Sequence, residues 1–392
     1  MRILYLAHRI PFPPNKGDKI RSFHEIKHFS RNHEIHLAAF YDRPEDACYA
    51  GGLDQYCASV RLVPLNRQIQ LSRAGISLLR GRPWSTGYFD HPEMAELAAH
   101  DRTSTRFDLV FGYSSSMAPY LMKIGLPKIL DFVDSDALKW GQYSRARSFP
   151  FSFLYGYEAR HLAAFERLVA GSMDFSVFVS EREARHLTPG ERLQFVQNGI
   201  DLDYWCPCPG APTSTDIIFT GAMDYFPNID AVTFFARDVF PQVRARVPDA
   251  CFVIVGANPA PAVRRLGEVS GVRIAGGVPD TRLYLYQSRV AVAPMRISQG
   301  IQNKILEALA TGLRVVATPA VVNGMEGVSD LPVSVAADPG AMADAIVESL
   351  RAPLLSKSEV DRTRAVLATH YDWETNLSKF DLLFDRAVRV HP

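Results

Sequence analysis

Between Val290 and Pro319 an apolar strand pattern ends at Pro294, a loop carries Arg296 and Gly300, and a helical pattern opens near Ile301. Gly312 closes that pattern as a helix C-cap before a second apolar strand begins. A helix start over Gly300 to Asn303 presents free backbone N–H groups and the positive end of a helix dipole, a ready site for phosphate. Gly300 lets a ligand approach the backbone closely. Lys304 adds a cation in the first turn, and Glu307 shares its face three residues on. This set suits a nucleotide sugar, with charge for the diphosphate and a bidentate acceptor for vicinal ribose hydroxyls. Spacing alone suits a solvated Lys/Glu pair on an ordinary helix equally well.

The elements around this segment alternate short apolar strands with helical stretches, which implies parallel strands and crossover helices. In the first half the strands read Ile3 to Ala7, Glu34 to Phe40, Asp108 to Gly112, Lys128 to Phe132 and Phe175 to Ser180, with a helix over Ile20 to Ser30. The rhythm breaks at residues 201–215, rich in proline and small residues, and this is the expected linker. It then restarts with strands Asp216 to Thr220, Cys251 to Val255, Val272 to Ala275, Val290 to Ala293 and Arg314 to Thr318. The expectation is therefore an α/β chain of two Rossmann-like, doubly wound domains, residues 1–200 and 216–370, facing a cleft. Residues 371–392 show helical spacing of Trp373, Leu377, Phe380, Leu383, Phe384 and Val388, expected as an amphipathic helix packing across both domains. In such sheets ligands sit at the carboxyl ends of the strands.

The run Gly300-Ile301-Gln302-Asn303-Lys304-Ile305-Leu306-Glu307, with Ala308 to Gly312 and Val315-Val316-Ala317-Thr318, resembles the donor-binding signature of glycosyltransferase family 4. The resemblance extends to Phe219 through Asn228, to Val253-Ile254-Val255-Gly256, to Gly277-Val278-Pro279-Asp280 and to Gln197-Asn198-Gly199-Ile200-Asp201. More narrowly, Ala7 to Pro14, Asp131 to Asp136 and Arg296 to Glu307 resemble the sugar transferases associated with exosortase (PEP-CTERM) exopolysaccharide loci. The resemblance implies a two-domain GT-B fold and sugar transfer with retention, from a nucleotide-diphosphate sugar and without a cofactor. It puts Glu307 on the ribose, Gly300, Ile301, Gln302 and Asn303 at the distal phosphate and sugar, Gly221 under the diphosphate and Val278 near the base. Two departures stand out. Gln299 occupies the position of a second glutamate, and Asn228 stands where an Arg/Lys pair would follow Gly221, which leaves Lys304 and Arg296 to neutralise the diphosphate.

On the acceptor side the loop around Gly17 and Asp18 follows the first strand, with Asp18 a natural N-cap and Arg21 on the first turn, facing either the cleft or water. Asp134-Ser135-Asp136 has the Asp-x-Asp spacing that other glycosyltransferases use to hold a metal. In two Rossmann-like domains a helix terminus and basic side chains can replace the ion, so no metal is expected, and Asp134 is read as a contact to the acceptor or donor sugar.

Composition narrows the classes further. The chain has 392 residues, 47% hydrophobic and 22% charged, with a formal net charge of +1, which fits a globular protein and argues against nucleic-acid coating. Its 5 cysteines, including Cys206 and Cys208, follow neither a disulfide framework nor zinc spacing. The apolar start is too short for a signal peptide and no run is long enough to span a bilayer, so a cytoplasmic protein is expected. From Gln55 to Phe89 there is no acid, but Arg61, Arg67, Arg73, Arg80 and Arg82 interleave with apolar residues. Gly141 to Tyr157 is likewise acid-free and aromatic. Both stretches suit peripheral contact with an anionic membrane.

The resulting expectation is a retaining, metal-independent glycosyltransferase of exopolysaccharide assembly, acting on a saccharide or lipid-linked saccharide. A nucleotide-sugar 2-epimerase of the same architecture and a non-catalytic sugar-nucleotide-binding protein, the latter favoured by Gln299, are the alternatives.

Overall fold

A computed structural model of the chain describes residues 1–15, 17–100, 107–188, 190–208, 214–298 and 300–390. The chain divides into two compact units, Met1–Asn198 with Trp373–Pro392, and Gly199–Asp372.

The first unit holds seven strands: β1 (Arg2–Ala7), β2 (Glu34–Tyr41), β3 (Ser59–Pro64), β4 (Leu109–Tyr113), β5 (Lys128–Val133), β6 (Phe175–Phe178) and β7 (Leu193–Phe195). They form one sheet in the order β3-β2-β1-β4-β5-β6-β7, every pairing parallel. The period-2 rule sends Ile3, Tyr5 and Ala7 to one face and Leu4 and Leu6 to the other, and both faces are buried. The first face is covered by the helix Gly17–Phe29 and the terminal helix Trp373–Val390. That terminal helix buries Leu377, Phe380, Leu383 and Phe384 in this core, with Phe29 meeting Phe380 and Phe384 edge-on. Its apolar stripe belongs to the core of the first unit, where Phe29 and Phe111 supply the aromatic partners.

The second unit holds β8 (Asp216–Thr220), β9 (Cys251–Val255), β10 (Val272–Gly276), β11 (Val290–Ala293), β12 (Arg314–Ala317) and β13 (Val333–Val335), ordered β10-β9-β8-β11-β12-β13 and also parallel. In each sheet the strand order reverses once, between β1 and β4 in the first unit and between β8 and β11 in the second. Loops leaving neighbouring strands at such a point diverge, and the crevice between them is where ligands bind in open α/β sheets.

Three short strands were absent from the sequence reading: β3, β7 and β13. Strand β3 carries Arg61, which separates that residue from the rest of the basic run. Arg67 and Arg73 lie on the helix Arg67–Leu79, Arg80 caps its end, and Arg73 is half-buried with its guanidinium donating to the Asp90 carbonyl.

Candidate functional site

In the second unit the loops after β8 and β11 meet at the switch point. Strand β8 ends on Thr220, and Gly221 follows with φ +151°, a backbone conformation that side-chain-bearing residues rarely adopt. Its neighbours explain the glycine: a Cβ there would stand 2.7 Å from Asn228 Nδ2 and 3.2 Å from Lys304 Nζ. Behind it, a Cβ on Gly256 would meet the Gly221 carbonyl oxygen at 1.7 Å, so two backbones touch where β8 and β9 end. The sequence reading quoted Gly256 as part of a motif but gave it no role.

Asn228 sits in the first turn of the helix Phe226–Phe234, buried, and donates from Nδ2 to the Ala222 carbonyl at 2.9 Å. Its Oδ1 accepts from Lys304 Nζ at 2.7 Å. The ammonium also lies 4.3 Å above the Phe219 ring and 3.6 Å from Met295 Sδ. Asn228 thus anchors the lysine that the sequence reading placed at the diphosphate.

Lys304 stands in the first turn of the helix Asn303–Ala310, whose N-cap position is Gln302. The chain reaches that helix through Gly300 at φ +60°, a left-handed turn. Ile301 is buried in the core of the unit, and the Oδ1 of Asn303 is buried without a hydrogen-bond partner among the described residues. Glu307 follows one turn on, half-buried. Burial pushes the Lys304 ammonium down to about 7, opposed by the Glu307 charge. Burial likewise raises Glu307 to about 7, opposed by Lys304. An anion arriving beside Lys304 would restore the charge that burial disfavours. Gly312 ends this stretch at φ +91°, as the sequence pattern required.

Three other donor-side residues fall differently. Arg296 is exposed and bound to Asp230, with Nε at 3.0 Å, and lies over the Phe234 ring, so its charge is already balanced by a carboxylate. Val278 packs on the core in the loop after β10, two strands from β8. Gln299 lies outside the described residues.

In the first unit the loops after β1, β4 and β5 surround the other switch point. Gly17 opens its helix with nothing near a Cβ position. Asp18 lies inside the first turn rather than at the cap, and its carboxylate meets Arg9 at 3.1 Å. Arg21 faces neither a cleft nor water. It is fully buried, donating to Asp131 Oδ2 at 2.6 Å, the Val196 carbonyl at 2.9 Å and Asn198 Oδ1 at 3.0 Å, with Glu25 Oε1 at 3.0 Å. Two buried carboxylates facing one guanidinium explain its position: a charge at the sheet centre requires an opposite charge beside it. The sequence reading missed Glu25, whose helical i,i+4 spacing from Arg21 was the available signal.

Strand β5 ends in a bulge: Val133 takes φ +66°, unusual for a β-branched residue, and its N–H donates to Asp131 Oδ1. That twist delivers Asp134 and Asp136 into different surroundings. Asp136 accepts from Ser115 Oγ at 2.6 Å and pairs with Lys139, so although burial works to raise it, the lysine holds it below the ordinary carboxylate range. The Oδ1 of Asp134 is buried without a hydrogen-bond partner among the described residues, and burial together with the Glu183 carboxylate raises Asp134 to about 7, against Lys139. The two do not act as an equivalent metal-binding pair. No cluster of metal-ligating side chains occurs among the described residues.

Comparison with known proteins agrees with this architecture. Residues 214–352 match the family model for glycosyl transferases group 1, the stretch that holds β8 to β13 and the Lys304 site. No curated protein sequence matches. Among solved structures, a sucrose-phosphate synthase from Thermosynechococcus elongatus superposes with a TM-score of 0.72 at 14% identity, covering 100% of both chains. An α,α-trehalose 6-phosphate synthase from Burkholderia multivorans gives 0.67 at 12% identity, again over 100% of both. HepE from Anabaena, solved in complex with UDP, gives 0.66 at 13% identity over 98% of this chain and 100% of its own. These likenesses establish the GT-B fold, and with the family match over the second unit they support a glycosyltransferase.

Proposed function

We propose that the protein moves a sugar from a nucleotide-diphosphate sugar to a saccharide or lipid-linked saccharide acceptor, with retention and without a metal, in exopolysaccharide assembly. The observation that carries the reading is the Lys304 ammonium, held by Asn228 over the bare backbone of Gly221 at the start of the Asn303–Ala310 helix. A diphosphate in that place meets the Lys304 amine and the positive end of the helix dipole, with glycine backbone beneath it. Glu307 accepts from the ribose hydroxyls. The sugar carbon leaves the diphosphate oxygen and bonds to the acceptor hydroxyl, whose proton passes to the departing phosphate. Lys304 and the helix terminus stabilise the charge that gathers on the leaving group. Asp134, whose buried Oδ1 has no hydrogen-bond partner among the described residues, accepts from a sugar hydroxyl. The UDP complex of HepE is the precedent among the similar structures for the donor class.

A thermal-shift screen across UDP-, GDP- and ADP-sugars tests donor binding, and a clear rise for one base is the expected result. Product analysis with that donor then decides the chemistry. Transfer only with acceptor supports the proposal, conversion of donor alone supports the 2-epimerase, and binding without turnover supports the non-catalytic reading that Gln299 favours.

A further inference from the structure

The helix Arg67–Leu79 is built inside out. Its buried residues include Gln70, Ala74 and Ser77, while Ile69, Leu71, Ile76 and Leu79 stand exposed, Leu79 at 89%. Ile69, Ile76 and Leu79 fall at i, i+7 and i+10, one outward stripe. Neither amide atom of the buried Gln70 has a partner among the described residues. An amphipathic helix on a water-soluble core normally buries its apolar stripe, so this one keeps that stripe for something else.

A second apolar group abuts it. The turn between the helices Asp136–Ala146 and Phe151–Ser172 exposes Phe149 at 81%, and the first turn of the second helix exposes Phe153 at 66% and Phe151 at 54%. The two segments are joined by Tyr157, whose hydroxyl donates to the Leu78 carbonyl at 3.3 Å, and by Trp84, whose ring lies 5.2 Å from Trp140. Glu158 fixes the junction from beneath, accepting from the Trp84 and Ser85 N–H groups at 2.9 Å. It is buried, so this acid faces inward. Around the apolar residues Arg67, Arg80, Arg82, Arg145 and Arg147 are exposed, and residues 55–89 and 141–157 contain no Asp or Glu.

We infer that this face of the first unit docks on the interface of a membrane rich in anionic lipid, with Leu79, Phe149 and Phe153 entering the headgroup boundary and the arginines among the phosphates. Charge complementarity selects the occupant: exposed arginines on two acid-free stretches of chain suit an anionic surface, and the exposed apolar stripe and phenylalanines suit insertion into lipid. The inference does not depend on the donor site, because vesicle binding requires no nucleotide sugar.

The test is flotation of the full chain with vesicles of phosphatidylcholine alone or mixed with phosphatidylglycerol. Expected are partition to the mixed vesicles that weakens with added salt, and a loss of about tenfold or more in the triple variant Leu79→Ser, Phe149→Ser, Phe153→Ser. Replacing Arg67, Arg80 and Arg82 by Gln is expected to weaken partition about a hundredfold, each arginine contributing about fivefold. Circular dichroism melts verify that the variants fold. Absence of wild-type binding to the mixed vesicles, or equal binding by the folded triple variant, overturns the inference. So does a concentration-dependent dimer that the triple variant breaks without any vesicle binding, which would make the face a contact between copies of this chain.

Discussion

Lys304 Nζ donates to Asn228 Oδ1 at 2.7 Å, and the same ammonium stands 3.2 Å from where a Cβ on Gly221 would lie. The amine is thus held over bare backbone before any ligand arrives, and an incoming phosphate need not reorganise it. A lysine on a solvated helix face loses several rotatable bonds on binding; this one has already lost them. Replacing it should therefore cost the full charge-assisted contact. Lys304→Ala is expected to weaken binding of the preferred nucleotide diphosphate by ~1.5–3 kcal/mol in calorimetry, and a change within about twofold would remove the residue from the site.

The same burial makes donor binding depend on protons. Lys304 titrates at about 7 in the free protein, so at pH 8 most of it is neutral. A bound diphosphate favours the ammonium and raises that value, so binding at pH 8 should take up a proton. The group is already charged below pH 6, and uptake there should fade. Calorimetry in buffers of different ionisation enthalpy measures the number directly. Lys304→Ala should abolish the uptake at pH 8, and uptake unchanged in that variant would place the titrating group elsewhere.

Gly221 and Gly256 form a backbone contact with no room for a methyl group. Gly221→Ala meets Asn228 and Lys304 in a strained conformation, so donor affinity should fall by more than about tenfold with a stability loss of ~1–3 kcal/mol. Gly256→Ala drives a carbon into the Gly221 carbonyl, which side-chain rotation cannot relieve, and should destabilise the second unit more. Thermal melts of both variants, with and without the nucleotide, separate the two effects.

The turn, helix and C-cap around Lys304 were legible because their signals are local. Gly300, Lys304, Glu307 and Gly312 lie within one turn-helix-turn, and the 3.6-residue period places them without knowledge of the rest of the fold. Asn228 shows the limit. Seventy-six residues separate it from Lys304, and no sequence period pairs them. Arg296 shows the same limit: its loop position was readable, but its pairing with Asp230, on another helix, was not. In the first unit the sheet centre brings Arg21 to Asp131 across 110 residues, turning a surface expectation into a buried network. The edge strands β3, β7 and β13 escaped because none is fully buried, which leaves no continuous apolar run to read, and β7 and β13 span only 3 residues each.

That buried network makes the last prediction. Glu25 accepts from the Tyr5 hydroxyl at 2.6 Å and shares Arg21 with Asp131; burial, reinforced by the Asp131 charge, holds its proton well above the ordinary carboxylate range. With one guanidinium for two carboxyls, the protonated Glu25 keeps the group electrically balanced. Arg21→Met removes the cation and leaves Asp131 buried alone, a loss of ~3–5 kcal/mol. Glu25→Gln keeps the shape, the Tyr5 acceptor and the neutrality, and should cost about 1 kcal/mol or less near neutral pH. The sign with pH follows from the raised carboxyl: the folded state keeps a proton that the unfolded chain releases above its ordinary value of 4.5, so wild-type stability falls as pH climbs past that point. Glu25→Gln has no such proton to keep. Urea melts from pH 4 to pH 8 should show the variant gaining on the wild type as pH rises, and parallel curves would mean that Glu25 is ionised in the folded protein.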